Sequence, residues 1–429
     1  MGYKVNTKQQ LKYWRKRIFW SIWITYACFY LVRVNMSVAL PGIMSEYGLS
    51  KTVMGGVLTA LFATYAIGQF INGQLGDKFG ARKLISIGIL CSAVLNIVFG
   101  FTNGWVAGMI LVWGLNGFFQ SMGWSPSVKT IANWFPIKMR TRQAGFLGTS
   151  YQIGNAVSWA IAGSVVGLLG WRWAFWVPAG IAILIGLHWA IRGRNAPEEV
   201  GLPTVEEQNE GKLEGGYVKK DEHLGFMFTL KSVLLKKRIW CVALGLCCLN
   251  IVRYGFLDWA PTYLFEVQKA VISMAAYKAM IIPIAGSLGA LYASFLAERM
   301  FKHRKAPIAA IMLFVLVIFC WLYPQIPVGN WILSLVFLAV IGFMTYGPHV
   351  LMVTALPMDY GSRKAAASVT GFIDGWGYIG AALTGVGTGF LIDNFGWNYA
   401  FYLWVAGAIG AMIFMAMLWN QGPVKGKYH

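Results

Sequence analysis

Gly170-Trp171-Arg172-Trp173-Ala174-Phe175-Trp176 returns late in the chain as Gly396-Trp397-Asn398-Tyr399-Ala400-Phe401-Tyr402. Three more pairs keep the same order at a nearly fixed offset of about 220–226 residues. Tyr30-Leu31-Val32-Arg33 matches Asn250-Ile251-Val252-Arg253. Leu75-Gly76-Asp77-Lys78 matches Leu296-Ala297-Glu298-Arg299. Gly145-Phe146 with Ile153-Gly154 matches Gly371-Phe372 with Ile379-Gly380. One such match carries little weight. Four in order predict one unit used twice.

Between these landmarks the chain is apolar. Of its 429 residues, 57% are hydrophobic and 12% charged, roughly half the charged fraction of a soluble domain. Apolar stretches near the length of a bilayer crossing, about 20 residues, recur at 18–41, 52–75, 84–101, 105–133, 144–168 and 173–192, then at 238–263, 274–297, 306–323, 330–356, 364–390 and 397–419. The predicted fold is an all-α membrane protein. Twelve transmembrane helices form two pseudo-symmetric six-helix bundles, 1–192 and 238–429. A cytoplasmic linker, 193–237, joins them and holds Glu198, Glu199, Glu206, Glu207, Glu210 and Glu214. Parallel repeats of this kind place a pseudo-two-fold axis along the membrane normal and a substrate site at mid-membrane between the halves.

The net charge of +20 is a topology signal, because it is concentrated in alternate loops. The amino terminus carries Lys4, Lys8, Lys12, Arg15, Lys16 and Arg17. Later basic loops carry Lys78, Arg82 and Lys83; Lys138, Arg140 and Arg142; Arg299, Lys302, Arg304 and Lys305; Arg363 and Lys364. The intervening loops are nearly bare. Positive loops stay inside, so a multi-pass protein of the cell inner membrane with both termini cytoplasmic is expected. The segment Lys12–Arg17 precedes a helix too long for a cleavable signal, and no convincing cleavage site follows. The six cysteines lie within apolar stretches without metal-ligand spacing. There is no P-loop and no clustered catalytic set. The expectations are no enzyme, no cofactor, no metal, no nucleic-acid partner and a monomer.

Two charges break the apolar pattern. Arg33 and Arg253 each fall midway along a span, where an arginine costs about 2.5–3.5 kcal/mol on insertion scales. Such a residue faces protein or water. As repeat mates, the two are expected to approach each other across a central cavity. Two guanidinium forks there can hold an oxyanion of charge near −2, such as a phosphate monoester, by bidentate bonds. The competing reading pairs each with a helix carboxylate, but few lie nearby. Helical spacing puts Tyr26, Tyr30 and Ser37 on the Arg33 face and Asn250 on the Arg253 face. Trp124, Tyr151, Trp159 and Trp376 are candidate cavity aromatics. Lys129, Lys278, His349 and Asp258 read more simply as snorkelling or packed side chains.

The loop Gly73-Gln74-Leu75-Gly76-Asp77-Lys78-Phe79-Gly80-Ala81-Arg82-Lys83 resembles the signature loop of the major facilitator superfamily. Asp77, Arg82 and Lys83, with Glu298 and Arg299 in the second half, are then candidate gating residues. Arg253-Tyr254-Gly255-Phe256-Leu257-Asp258-Trp259-Ala260-Pro261-Thr262-Tyr263-Leu264 resembles the seventh-helix motif of the organophosphate:phosphate antiporter family. Gly123-Trp124-Ser125-Pro126, Tyr346-Gly347-Pro348 and Arg363-Lys364-Ala365-Ala366 support this, over essentially all twelve spans. The resemblance implies rocker-switch exchange of a phosphorylated metabolite for inorganic phosphate, with Arg33 and Arg253 as the phosphate-binding pair. Gln69 stands where relatives often carry lysine, Tyr151 where they carry histidine, and Pro283 where they carry an acid. Asp374 appears where they are usually uncharged. Three roles stay open for Asp374: a ligand for a substrate amine or hydroxyls, a proton carrier, or the partner of a cation such as Lys278. The substrate is therefore expected to be a small organic anion, most simply an organophosphate or phosphonate. The rivals are proton-coupled uptake of a sugar acid or other carboxylate, and a membrane ligand sensor of the same fold.

Overall fold

A computed structural model describes residues 2–205, 236–299, 304–356 and 366–421. Among these the chain is helical, with no strand. The first half comprises α1 (Gly2–Leu31), α2 (Asn35–Tyr47), α3 (Lys51–Phe79), α4 (Ala81–Phe99), α5 (Val106–Gln120), α6 (Trp124–Trp134), α7 (Ile137–Leu169) and α8 (Trp173–Arg192). The second comprises α9 (Lys237–Glu266), α10 (Ile272–Ala279), α11 (Ile281–Arg299), α12 (Ala306–Leu322), α13 (Trp331–Val350), α14 (Ala366–Phe395) and α15 (Trp397–Met417).

Among the described residues, ten spans are long and apolar enough to cross a membrane on those grounds alone. The other two are α14 and the pair α5–α6, which makes twelve, six in each half. Three expected helices are interrupted, each for a local reason. The first span breaks between α1 and α2 at Val32–Val34. The fourth breaks at Ser121–Gly123, where Pro126 lacks the N–H that would bond the Met122 carbonyl. The eighth breaks at Met280, which separates α10 from α11. Beyond Pro348, α13 widens into a π turn at Leu351–Ala355.

The internal repeat is visible in backbone detail. Gly170 and Gly396 both turn the chain with positive φ, 92° and 89°, a conformation that glycine adopts without a Cβ penalty. Their N–H groups close the preceding helices onto Val166 (3.1 Å) and Ile392 (3.0 Å). The next residue repeats as well. Trp171 donates its indole N–H to Glu46 (2.7 Å), and Trp397 donates to Glu266 (3.1 Å). In each half, a carboxylate ending the first span thus anchors the tryptophan that starts the sixth.

The repeat then diverges. Arg172 forks onto Glu46 at 2.7 and 3.0 Å, and that carboxylate raises the Arg172 pKa above its ordinary value. Its counterpart is Asn398, which brings no charge. Glu266 pairs instead with Lys51 of the other half, at 3.2 Å.

That bridge belongs to a seam between the halves at the end of the bundle holding Gly48, Gly170, Lys269 and Gly396, here named the turn end. Asp393, at the end of α14, caps the start of α3. Its Oδ1 accepts from the Lys51 N–H (3.1 Å), and its Oδ2 accepts from the Thr52 N–H (2.6 Å) and hydroxyl (2.7 Å). These N–H groups are among the donors a helix leaves unsatisfied at its start. Deeper, Thr59 inserts its hydroxyl into the α14 ladder, donating to Ala382 (2.6 Å) and accepting from the Val386 N–H (3.0 Å). Gly55 and Gly385 lie backbone to backbone, and Gly389 lies against the Lys51 carbonyl; a Cβ at any of them would collide. On the opposite side, Ser164 and Tyr277 share a 2.6 Å hydrogen bond, and Gly163 faces Ala276.

Candidate anion site between the halves

Arg33 sits on the broken backbone of the first span. In a continuous helix its N–H would bond the Phe29 carbonyl; here it turns to Tyr30, at 3.3 Å. Side-chain amides take the freed carbonyls. Gln120 donates to Phe29 (3.0 Å), and Asn96 and Asn116 both donate to Val32 (2.9 and 3.0 Å). Asn35 ties Asn96 to the Ala174 carbonyl, at 2.9 Å each. Non-helical backbone at membrane depth needs such partners. The network fixes the residue that carries the charge. Arg253, by contrast, rides on the unbroken α9.

Both guanidinium groups are buried, at 5% and 6% exposure, so neither faces lipid. Neither pairs with a carboxylate among the described residues. Their neighbours are aromatic. Arg33 lies over Tyr65 (4.6 Å), Tyr30 (5.3 Å), Phe62 (5.8 Å) and Tyr378 (6.0 Å). Arg253 lies over Tyr254 (4.7 Å), Tyr346 (5.2 Å) and Tyr151 (5.9 Å). Tyr254 touches both: its ring underlies Arg253, and its hydroxyl accepts a long 3.5 Å bond from Arg33. The two charges therefore converge on one tyrosine at the seam. Cation–π contacts are worth about 0.5–2 kcal/mol each and leave the in-plane N–H donors for another partner. The Nε of Arg253 has no hydrogen-bond acceptor. Buried polar groups are nearly always satisfied, so this donor is open to a further partner.

Several expected residues join the site. Tyr30 packs on Tyr151 (5.9 Å), and Tyr26 on Trp124 (5.1 Å) and Tyr30 (5.9 Å), forming one aromatic wall of the first half. Gln69 accepts from Ser125 (3.1 Å) and leaves its Nε2 unpartnered. Asn250, 2% exposed, is one turn from Arg253 with an unpartnered Oδ1. Asp374 interacts electrostatically with Arg253 and Arg33 yet forms no ion pair with either, nor with Lys278, among the described residues.

Others are engaged elsewhere. Ser37 accepts from Trp159 (2.8 Å) and donates to Val34 (2.7 Å), which commits it to packing. Trp376 stacks edgewise on Trp240 at 5.4 Å, near the start of α9. Arg82 binds the last turn of α8 within its own half, through the Ala190 carbonyl (2.7 Å), and its N–H donates to Asn195 (2.8 Å). Lys83 is near Arg82 on α4. The side chains of Asp77, Glu298 and Arg299 lie outside the described residues.

Sequence reasoning missed Tyr65, Tyr254, Tyr346 and Tyr378 as site residues, along with Phe62. Helical spacing held a signal for two of them. Tyr65 is four residues from Gln69 and Tyr378 four from Asp374, each one turn away on the same face. Asp258, 5% exposed, lines a water-sized void of about 10 Å³ with Arg33 and Tyr254.

Comparison with known proteins agrees with this architecture. A family model for the Major Facilitator Superfamily matches residues 22–385. The Glycerol-3-phosphate transporter of Bacillus subtilis is 32% identical over 95% of this chain and 93% of its own. A Probable hexose phosphate transport protein of Chlamydia trachomatis is 29% identical over 98% of this chain and 94% of its own. The inward-facing, unoccupied structure of a bacterial homologue of the human lysosomal transporter Spinster superposes with a TM-score of 0.75. It covers 94% of each chain at 16% identity, which speaks to the fold alone.

Proposed function

The chain belongs to the major facilitator superfamily and, within it, to the organophosphate:phosphate antiporter family, and on that premise we propose that it exchanges a small organophosphate or organophosphonate for inorganic phosphate by alternating access. The observation that carries the reading is the pair of buried guanidinium groups, one from each half. They meet at Tyr254, and neither forms an ion pair with a carboxylate among the described residues.

An entering oxyanion takes the open Nε donor of Arg253 and the free edge of Arg33. Charge-assisted bonds of this kind contribute about 1.5–3 kcal/mol each. Because the two arginines belong to different halves, the anion lowers their mutual repulsion and favours approach of the halves around it. Differential binding of this kind shifts a conformational equilibrium. With both termini in the cytoplasm of an inner-membrane protein, as the distribution of basic loops favours, the turn end faces out. Residues 1–192 and 238–429 act as the two rocking bodies of a monomer, joined by the 193–237 linker. Inorganic phosphate is the counter-substrate, and no cofactor takes part.

The test is counterflow in liposomes containing the purified full-length protein and loaded with phosphate. Labelled phosphate entering against unlabelled internal phosphate, and displaced by organophosphates or phosphonates, is the expected result. Uptake that follows a pH gradient and ignores internal phosphate overturns it in favour of proton-coupled carboxylate uptake. Ligand binding without flux overturns it in favour of a sensor.

A further inference from the structure

The organophosphate reading leaves the Asp374 carboxylate of the chamber unused, and resting on that reading we propose that Asp374 is a specificity residue: it receives a substrate ammonium while the arginine pair holds the phosphorus oxyanion, so the carried class is an amino-organophosphonate or amino-phosphomonoester zwitterion. Three observations converge on this. Position is the first. Asp374 is on α14 one turn before Tyr378, whose ring lies 4.5 Å from Tyr65 and under Arg33. It is also three residues before Gly377, whose backbone faces the Asn250 amide. Asp374 therefore lies one turn nearer the chain-terminal end than the arginine level.

Second, its carboxylate is uncommitted. It feels both guanidinium charges, but among the described residues no hydrogen bond or ion pair holds it. A carboxylate within the field of two arginines and out of contact with both leaves a gap between opposite charges. One helical turn is about 5 Å, a spacing that a two- or three-carbon chain between phosphorus and nitrogen bridges.

Third, the unsatisfied buried groups around the chamber are of both kinds: donors, Arg253 Nε and Gln69 Nε2, and acceptors, Asn250 Oδ1 and Asp258 Oδ2. A ligand that is anionic at one end and a hydrogen-bond donor at the other satisfies both sets. A simple dianion satisfies one set and places its charge within reach of a second negative group. An ammonium gains the Asp374 carboxylate and the Asn250 oxygen together, and a ligand lacking it leaves those acceptors buried and unpaired. Specificity arises from such unpaired groups as much as from the contacts made.

The experiment measures competition for labelled phosphate entry into phosphate-loaded liposomes by 2-aminoethylphosphonate and by ethylphosphonate, which differ only in the amine. In the wild type the amino compound is expected to compete at least about tenfold better. In Asp374→Asn the ratio of the two half-inhibitory concentrations is expected to collapse toward one, and Asp374→Glu is expected to restore part of it. Should Asp374→Asn enter phosphate too slowly to assay, ligand-induced thermal stabilisation of the detergent-purified variant reads the same ratio. Equal competition in the wild type, or a preference that survives in Asp374→Asn, overturns the amine assignment and leaves organophosphonate exchange standing. A preference unchanged in Asp374→Asn together with a shifted pH profile assigns the carboxylate to proton transfer instead. Absence of phosphate entry and of stabilisation by either compound in the wild type removes the carrier reading and this inference with it.

Discussion

Replacing Asp393 by alanine tests how the turn end is held shut. The carboxylate accepts three bonds from the first two residues of α3, at 2.6–3.1 Å. Charge-assisted bonds of this kind are worth about 1.5–3 kcal/mol when desolvated, and a carboxylate at a helix start adds about 0.3–1 kcal/mol. Asp393 is exposed, so water competes for each bond. A net loss of about 2 kcal/mol is a reasonable expectation, well below the sum of the parts. At 1.4 kcal/mol per tenfold change, that moves the balance of turn-end-closed and turn-end-open forms by about 30-fold. Thr52→Val removes one of the three bonds and is expected to shift it less, by about threefold. Spin labels at Asn103→Cys and Val328→Cys, in a chain freed of its native cysteines, sit on turn-end loops of opposite halves. Their dipolar distance distribution should gain a longer component in Asp393→Ala and a smaller one in Thr52→Val. Identical distributions in all three proteins would refute the capping argument.

Further expectations follow from other contacts. Arg33→Lys or Arg253→Lys should lose most phosphate counterflow, by about 10–100-fold, because a lysine cannot present the planar fork; near-normal uptake by either variant counts against the anion site. Asn116→Leu leaves the Val32 carbonyl with the Asn96 amide and a long 3.5 Å bond from Gln120 and should cost about 1–3 kcal/mol, measured as a fall in unfolding temperature in detergent, with weaker phosphate binding because Arg33 rests on that backbone. Asn398→Arg supplies the second half with its missing counterpart of Arg172. It should draw Glu266 away from Lys51 and open the turn end by less than about 1 kcal/mol, read with the same spin-label pair.

The repeated landmarks made the duplicated architecture readable, since Gly170 and Gly396 make the same turn and Trp171 and Trp397 the same bond. The arginine pair was readable because a guanidinium in an apolar span has few places to go. The breaks were harder. Nothing within Val32-Arg33-Val34 resembles a helix breaker; the interruption is imposed by Asn96, Asn116 and Gln120 from other helices, so tertiary contacts override local propensity. The tyrosines around the arginines were hidden for a related reason. Residues 252–264 are buried on every side of α9, so periodicity does not separate a chamber-facing Tyr254 from a packed Trp259. Ser37 shows the reverse error. It shares a helical face with Arg33 on paper, but the break between α1 and α2 turns it toward Trp159.

The glycine contacts along α3 and α14 bear on leakage. Where Gly55 meets Gly385 and Gly389 meets the Lys51 carbonyl, backbone lies against backbone and leaves no room for a file of water molecules. Protons and small cations under an electrical gradient then find no continuous wire past the seam while the chamber is open to the other side. A carrier differs from a pore in that respect, and here the difference rests on a few positions where any side chain at all would act as a wedge.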